Sequence, residues 1–116
     1  MPINYEMSSS SFSLVYSASF EGTKRAAEQG DADAQYSLGL FYVLQQDYKQ
    51  GKEWYEKAAK QGHADAQAGL SGLYYLGLGV RQDYQKARAC LQTSYRSQIS
   101  EAARHTKAAK TSASLS

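Results

Sequence analysis

The side chains of this 116-residue chain that could do chemistry are few. Cys90 is the single cysteine, so it can close no internal disulfide and build no cysteine-based zinc site. As a nucleophile it competes with a plainer role. Between Ala87 and Leu91 on a helix, a thiol serves as a small buried or semi-buried side chain. The two histidines, His63 and His105, form no HxxxH or HExxH pair, and a histidine-based metal site would need ligands the chain does not supply. Asp31-Ala32-Asp33 and His63-Ala64-Asp65 look like fragments of a metal cluster, but acids near a helix start favour the helix dipole and account for both. On that reading His63 is a surface turn residue. Gly77-Leu78-Gly79 lacks the third glycine, the preceding strand and the lysine of a phosphate loop. Lys52, Glu53, Glu56, Lys57 and Lys60 make a mixed charged face that includes a Glu56–Lys60 i, i+4 pair. Trp54 is either an exposed interface anchor or a residue packed on the next helix. The expectation is a protein with no catalytic residue, no metal and no cofactor.

Composition points to the elements behind these residues. Val and Ile together number only five, against 17 Ala, 11 Gln and 10 Tyr, which favours helices over sheets. Net charge is +2, too small for an electrostatic case for nucleic acid. Residues 96–116 carry Arg96, Arg104, Lys107 and Lys110 against Glu101, and a solvated helix end explains them without an RNA partner. No apolar run approaches the ~20 residues of a membrane span. Residues 1–20 hold no Lys or Arg, and serines break up their apolar residues, so no secretory signal is expected. With the lone cysteine, this favours a cytoplasmic setting.

The strongest signal is internal. Segment 26–38, AAEQGDADAQYSL, matches segment 58–70, AAKQGHADAQAGL, at nine of thirteen positions. Gln46-Asp47-Tyr48 recurs as Gln82-Asp83-Tyr84, so the second copy has a longer internal loop around Gly77-Leu78-Gly79-Val80. Gly30 and Gly62 fit left-handed helix ends. Asp31, Asp47 and Asp83 fit N-caps, with His63 a poor cap at the fourth place. These marks predict helices near 11–29, 32–44, 47–61, 64–77 and 83–108. Ala34, Leu38, Phe41 and Tyr42 share one helix face with counterparts Ala66, Leu70, Leu73 and Tyr74. Tyr48, Gly51, Tyr55 and Ala58 match Tyr84, Ala87, Leu91 and Ser94. The small members let helix axes approach while Tyr and Leu fill the gaps.

The string WYEKAAKQGHADAQ, the Leu38-Gly39 to Tyr42 triplet and the block GLGVRQDYQKA resemble Sel-one-like repeats, which are similar to tetratricopeptide repeats. The resemblance covers about residues 26–95. It implies an all-α fold, a short right-handed α-solenoid of about five helices, and a non-catalytic adaptor that binds another protein or peptide. The first copy departs from the pattern in lacking the Gly-rich loop. Ser71 stands where the first copy has Gly39. Ser94-Tyr95 replace the Ala-Ala pair, which suggests that the array closes at residue 95.

The domain reading is a flexible segment 1–10, a capping helix 11–29, repeat one at 30–62, repeat two at 63–95 and an extension with a frayed tail at 96–116. Phe12, Val15, Tyr16, Ser19 and Phe20 form the stripe of the N-terminal cap. Leu91, Tyr95, Ile99 and Ala102 form the closing cap. Stacked repeats bury one another and about three are normally needed, so two chains sharing their ends as a homodimer is an alternative. A second apolar stripe, Tyr36, Leu40 and Val43 with Ala68, Gly72 and Tyr75, is the candidate partner-binding surface. The resemblance places it on the concave side. The same stripe could be a dimer seam or could simply pack on a neighbouring helix. A toxin-neutralising, immunity-type protein is a further functional alternative.

Overall fold

A computed structural model describes the backbone of residues 9–114 and the side chains of residues 19–106. Five helices follow one another: α1 (Ser9–Glu28), α2 (Ala32–Leu44), α3 (Tyr48–Lys60), α4 (Ala64–Leu76) and α5 (Tyr84–Ser114), with no strand among the described residues. Each helix packs on the one before and the one after it. The chain is an all-α helical-repeat protein, consistent with a short solenoid.

The turns explain why the helices stop where they do. Gly30 (φ +101°) and Gly62 (φ +86°) adopt the left-handed conformation. After each, the next residue's N–H reaches back five positions, Asp31 to the Ala26 carbonyl at 3.1 Å and His63 to the Ala58 carbonyl at 3.2 Å. This is the Schellman closure, which satisfies carbonyls that a helix end would otherwise orphan. The α2–α3 turn uses the same closure, Asp47 N–H to the Tyr42 carbonyl at 2.9 Å, but places Gln46 at φ +67° where a glycine would fit more easily. Capping oxygens then start the helices. Asp31 accepts from Ala34 N–H at 3.0 Å, Asp47 from Gln50 N–H at 3.3 Å and Asp83 from Lys86 N–H at 3.0 Å.

The core sits where α3 meets its two neighbours. Tyr55, 3% exposed, projects from α3 between two glycines of the flanking helices. A Cβ at Gly39 of α2 would stand 2.6 Å from its ring, and one at Gly69 of α4 would stand 2.7 Å from it. Ala58, Ala66, Leu70 and Leu73 complete this cluster. Gly39 also lies close to Gly51 of α3, since a Cβ at Gly51 would be 3.1 Å from the Gly39 carbonyl oxygen. At the corresponding places the second copy has Ser71 and Ala87, and the Ser71 hydroxyl donates to the Ala87 carbonyl at 2.7 Å. The departure from glycine seen in the sequence is thus a buried hydrogen bond between α4 and α5.

The ends differ from the sequence expectation. α1 begins at Ser9, and its expected stripe residues Phe12, Val15 and Tyr16 lie outside the residues whose side chains are described. The expected flexible segment lies, for residues 1–8, outside the described residues altogether. Phe20 does pack on α2, with ring centroids 4.4 Å from Phe41 and 6.4 Å from Tyr42. α5 runs on to Ser114, beyond the helix end expected near residue 108. Residues 84–114 contain neither glycine nor proline and are rich in alanine, so nothing local ends the helix. The expected closing cap does not close: Leu91, Tyr95 and Ile99 are 43%, 59% and 67% exposed. The residues that α5 buries are Ala87 and Ser94, and the Ser94 hydroxyl donates to the Ala64 carbonyl at 2.9 Å.

Candidate functional site

Two glutamines tie the copies together, and the sequence patterns did not single them out. Gln35 and Gln67 are buried at equivalent positions of α2 and α4. Each side-chain amide donates to a carbonyl at the end of the preceding helix, Gln35 to Ala27 and Gln67 to Ala59, both at 3.2 Å. Each amide oxygen accepts from the helix that follows, Gln35 from the Gln61 amide at 2.8 Å and Gln67 from the Ser97 hydroxyl at 2.9 Å. One side chain thereby links three successive helices, and its donor and acceptor are both used inside the stack. Gln61 also donates to the Gly30 carbonyl at 2.9 Å, on the turn between α1 and α2. The available signal was the identity of Gln35 and Gln67 in both copies of the repeat.

His63 is more than a turn residue. Its Nδ1 accepts from Ala66 N–H at 3.2 Å, so it is the N-cap of α4. Its Nε2 lies 2.8 Å from Asp33 Oδ1 of α2, and its ring stacks on Tyr36 with centroids 4.9 Å apart. These three contacts join the starts of α2 and α4. The sequence expectation of a poor cap is corrected here: an imidazole nitrogen accepts the N–H that a carboxylate oxygen accepts in the other caps. The expected Glu56–Lys60 pair is corrected as well, because Glu56 pairs with Lys52 one turn earlier, and this hydrogen bond raises the Lys52 ammonium above its usual pKa. Trp54 is half-buried, with the Lys57 ammonium 4.1 Å from its ring centroid.

The remaining chemical candidates are placed as structural groups. Cys90 is half-buried against the core cluster. Burial pushes its thiol pKa up, the Lys86 charge draws it back and Glu56 adds a smaller upward push. A thiol so held is mostly protonated at neutral pH, the reverse of an activated nucleophile. Among the described residues no three or more His, Cys, Asp or Glu side chains gather to hold a metal ion. Nor, among them, is any helix long and apolar enough to cross a membrane. Two open surface grooves carry mixed charge. One of about 510 Å³ runs between the α3–α4 turn and α5, with Gln61, His63, Arg96, Glu101 and Arg104 on its walls. Another of about 520 Å³ is lined by Lys52, Tyr74, Arg81, Asp83 and Lys86.

The six expected partner-binding residues divide into two sets. Tyr36 and Val43 pack against the core, Tyr36 stacked on Tyr55 at 5.6 Å between centroids. A Cβ at Gly51 would stand 2.5 Å from a Val43 methyl. Ala68 is half-buried. Leu40, Gly72 and Tyr75 are exposed, and a Cβ at Gly72 would meet open space. Tyr75 leans on Tyr84 of α5, ring centroids 5.2 Å apart. Exposed Leu44 and Leu76, one turn or less from Leu40 and Tyr75, extend this apolar surface at the C-terminal ends of α2 and α4. Periodicity could not separate the two sets, because Tyr36 and Leu40 are one turn apart and differ in whether a neighbouring helix reaches over them.

A family model described as Sel1 repeat matches residues 32–63 and again residues 64–97, together more than half of the chain. No curated protein matches the chain at a significant level.

Proposed function

From the premise that this chain belongs to the Sel1 repeat family, we propose that it is a non-catalytic adaptor that binds a partner protein or peptide on the exposed face of α2 and α4. Sel1 repeats generally mediate protein–protein interaction, and the family is typically a non-catalytic scaffold. The observation that carries the reading is the row of large apolar side chains left in solvent on both first helices of the repeats: Leu40 and Leu44 on α2, Tyr75 and Leu76 on α4. Gly72, one turn before Tyr75 and Leu76, leaves open space for a partner side chain. Exposed apolar rows of this kind bury readily against a complementary surface, with an aromatic such as Tyr75 as anchor.

The test separates binding from folding. Gly72→Arg fills the open gap with a bulky charge and removes a glycine from a helix interior, so the fold is held or strengthened. The full chain is expected to retain a defined partner from cell extract, and Gly72→Arg and Tyr75→Ala are each expected to weaken retention about tenfold or more. Circular dichroism checks that helix content is unchanged. Undiminished retention by both variants would remove this surface from consideration.

A further inference from the structure

The two copies start their first helices with different capping atoms. At α2 it is a carboxylate oxygen of Asp31, and at α4 it is Nδ1 of His63. An imidazole nitrogen accepts only while it carries no proton. The contacts fix where the single proton of the neutral ring sits. Ala66 N–H is a donor, so Nδ1 is bare and the proton is on Nε2, which donates to Asp33 Oδ1 at 2.8 Å. The ring that caps α4 is therefore the uncharged one. Its place is closely defined, for the His63 side chain is 14% exposed and stacks on Tyr36 at 4.9 Å, as Tyr36 stacks on Tyr55 at 5.6 Å. A column of three rings runs from the start of α4 into the core.

A second proton has one place to go. On Nδ1 it would face the Ala66 N–H, donor against donor, and that cap cannot persist. The bond to Asp33 has the opposite fate, since an imidazolium and a carboxylate form a charge-assisted pair. The groups around the ring come from every element beside it. α2 supplies Asp33 and Tyr36, the end of α3 the uncharged Gln61, α4 its own Asp65, and α5 Arg96, Glu101 and Arg104 across the neighbouring grooves. Carboxylates outnumber guanidiniums there, so the added charge is not driven out of the joint. We infer that acid exchanges the contacts of His63: the ring keeps Asp33 as a charged pair and releases the Ala66 N–H. This uncaps α4 while α2, capped by a carboxylate, stays closed. The joint between the repeats is thus acid-sensitive on one side only, a property that does not depend on the partner-binding surface proposed above.

The test follows backbone amides of the isotope-labelled full chain by nuclear magnetic resonance. The sample is taken from about pH 8 to about pH 5, the interval in which imidazoles exchange a proton. The Ala66 amide is expected to shift along one titration curve with the His63 ring. Its hydrogen-exchange protection, corrected for the intrinsic pH dependence of exchange, should fall about fivefold or more. The Ala34 amide, held by Asp31, should keep its protection. In His63→Asn the cap is an amide oxygen that does not titrate, and Ala66 should stay unchanged over the whole interval. Asp33→Asn removes the carboxylate that retains the charged ring, and it should move the shared midpoint to lower pH. An Ala66 amide that does not follow the ring, or that titrates equally in His63→Asn, overturns the inference. A midpoint unmoved in Asp33→Asn overturns the retained pair.

Discussion

Replacing Tyr55 with Ala is expected to lower the free energy of unfolding by about 3–5 kcal/mol, measured by urea denaturation followed by circular dichroism. The ring is almost fully enclosed, and it touches helices on both sides of its own. Its loss leaves a void lined by Gly39 and Gly69, which have no side chains to swing into the space, and it takes away the stacking partner of Tyr36. Against a typical total of about 5–15 kcal/mol, such a change leaves a large unfolded fraction. Alkali attacks the same point in the unmutated chain. Burial, with a smaller push from Tyr36, raises the Tyr55 phenol to about 12 from its ordinary value of 10.0. The fold therefore favours the neutral phenol. That contribution is complete below pH 10, and it is lost as pH climbs from there toward 12. The urea midpoint of the unmutated chain should fall across this window, and Tyr55→Phe should flatten the fall.

Gly79→Ala is the second large effect, at about 2–5 kcal/mol. The α4–α5 loop folds back on the start of α3, and Gly79 makes the contact at φ +70°. Two penalties add. An L-residue in the left-handed region costs about 1–2 kcal/mol. A Cβ there would also stand 2.7 Å from Tyr48 Cβ and 2.8 Å from the Tyr48 carbonyl carbon, where no rotamer change relieves the overlap. Gly62→Ala is the control. Its φ is +86° but open space surrounds it, so it carries only the first penalty. Equal losses from the two substitutions would show that the loop does not press on α3.

Much of this architecture is legible in the residue order. Gly30 and Gly62 sit at one offset, Asp47 and Asp83 at another, and both pairs do the backbone work their types suggest. The internal copy alone places α2 opposite α4 and α3 opposite α5. What the order conceals is the partner of each polar group. Gln35 and Gln67 are identical, but their acceptor sites are filled by an amide in one copy and a hydroxyl in the other. No comparison of like with like pairs Gln61 with Ser97. His63 is hidden for the same reason, since its capping role uses a ring nitrogen where the first copy has a carboxylate. The candidate surface is half legible. A helix packed between two others has apolar residues over more than one stripe, and spacing does not say that Tyr36 faces Tyr55 while Leu40 faces water. At α5 the apolar residues were found, and their exposure was not, because burial depends on a neighbour the pattern cannot supply.

That the helices pack chiefly on their neighbours in the sequence has a kinetic meaning. The helix–helix contacts of the stack close stretches of chain of about one repeat or less, so modest loop-closure entropy stands in the way of folding. The α3–α4 hairpin holds the buried cluster of Tyr55, Ala58, Ala66, Leu70 and Leu73 and is the natural nucleus, with the outer helices zipping on from either side. Opening runs in reverse, from the edges inward. The two edge helices, α1 and α5, each rest on one main neighbour, so unravelling of the whole pile starts with them.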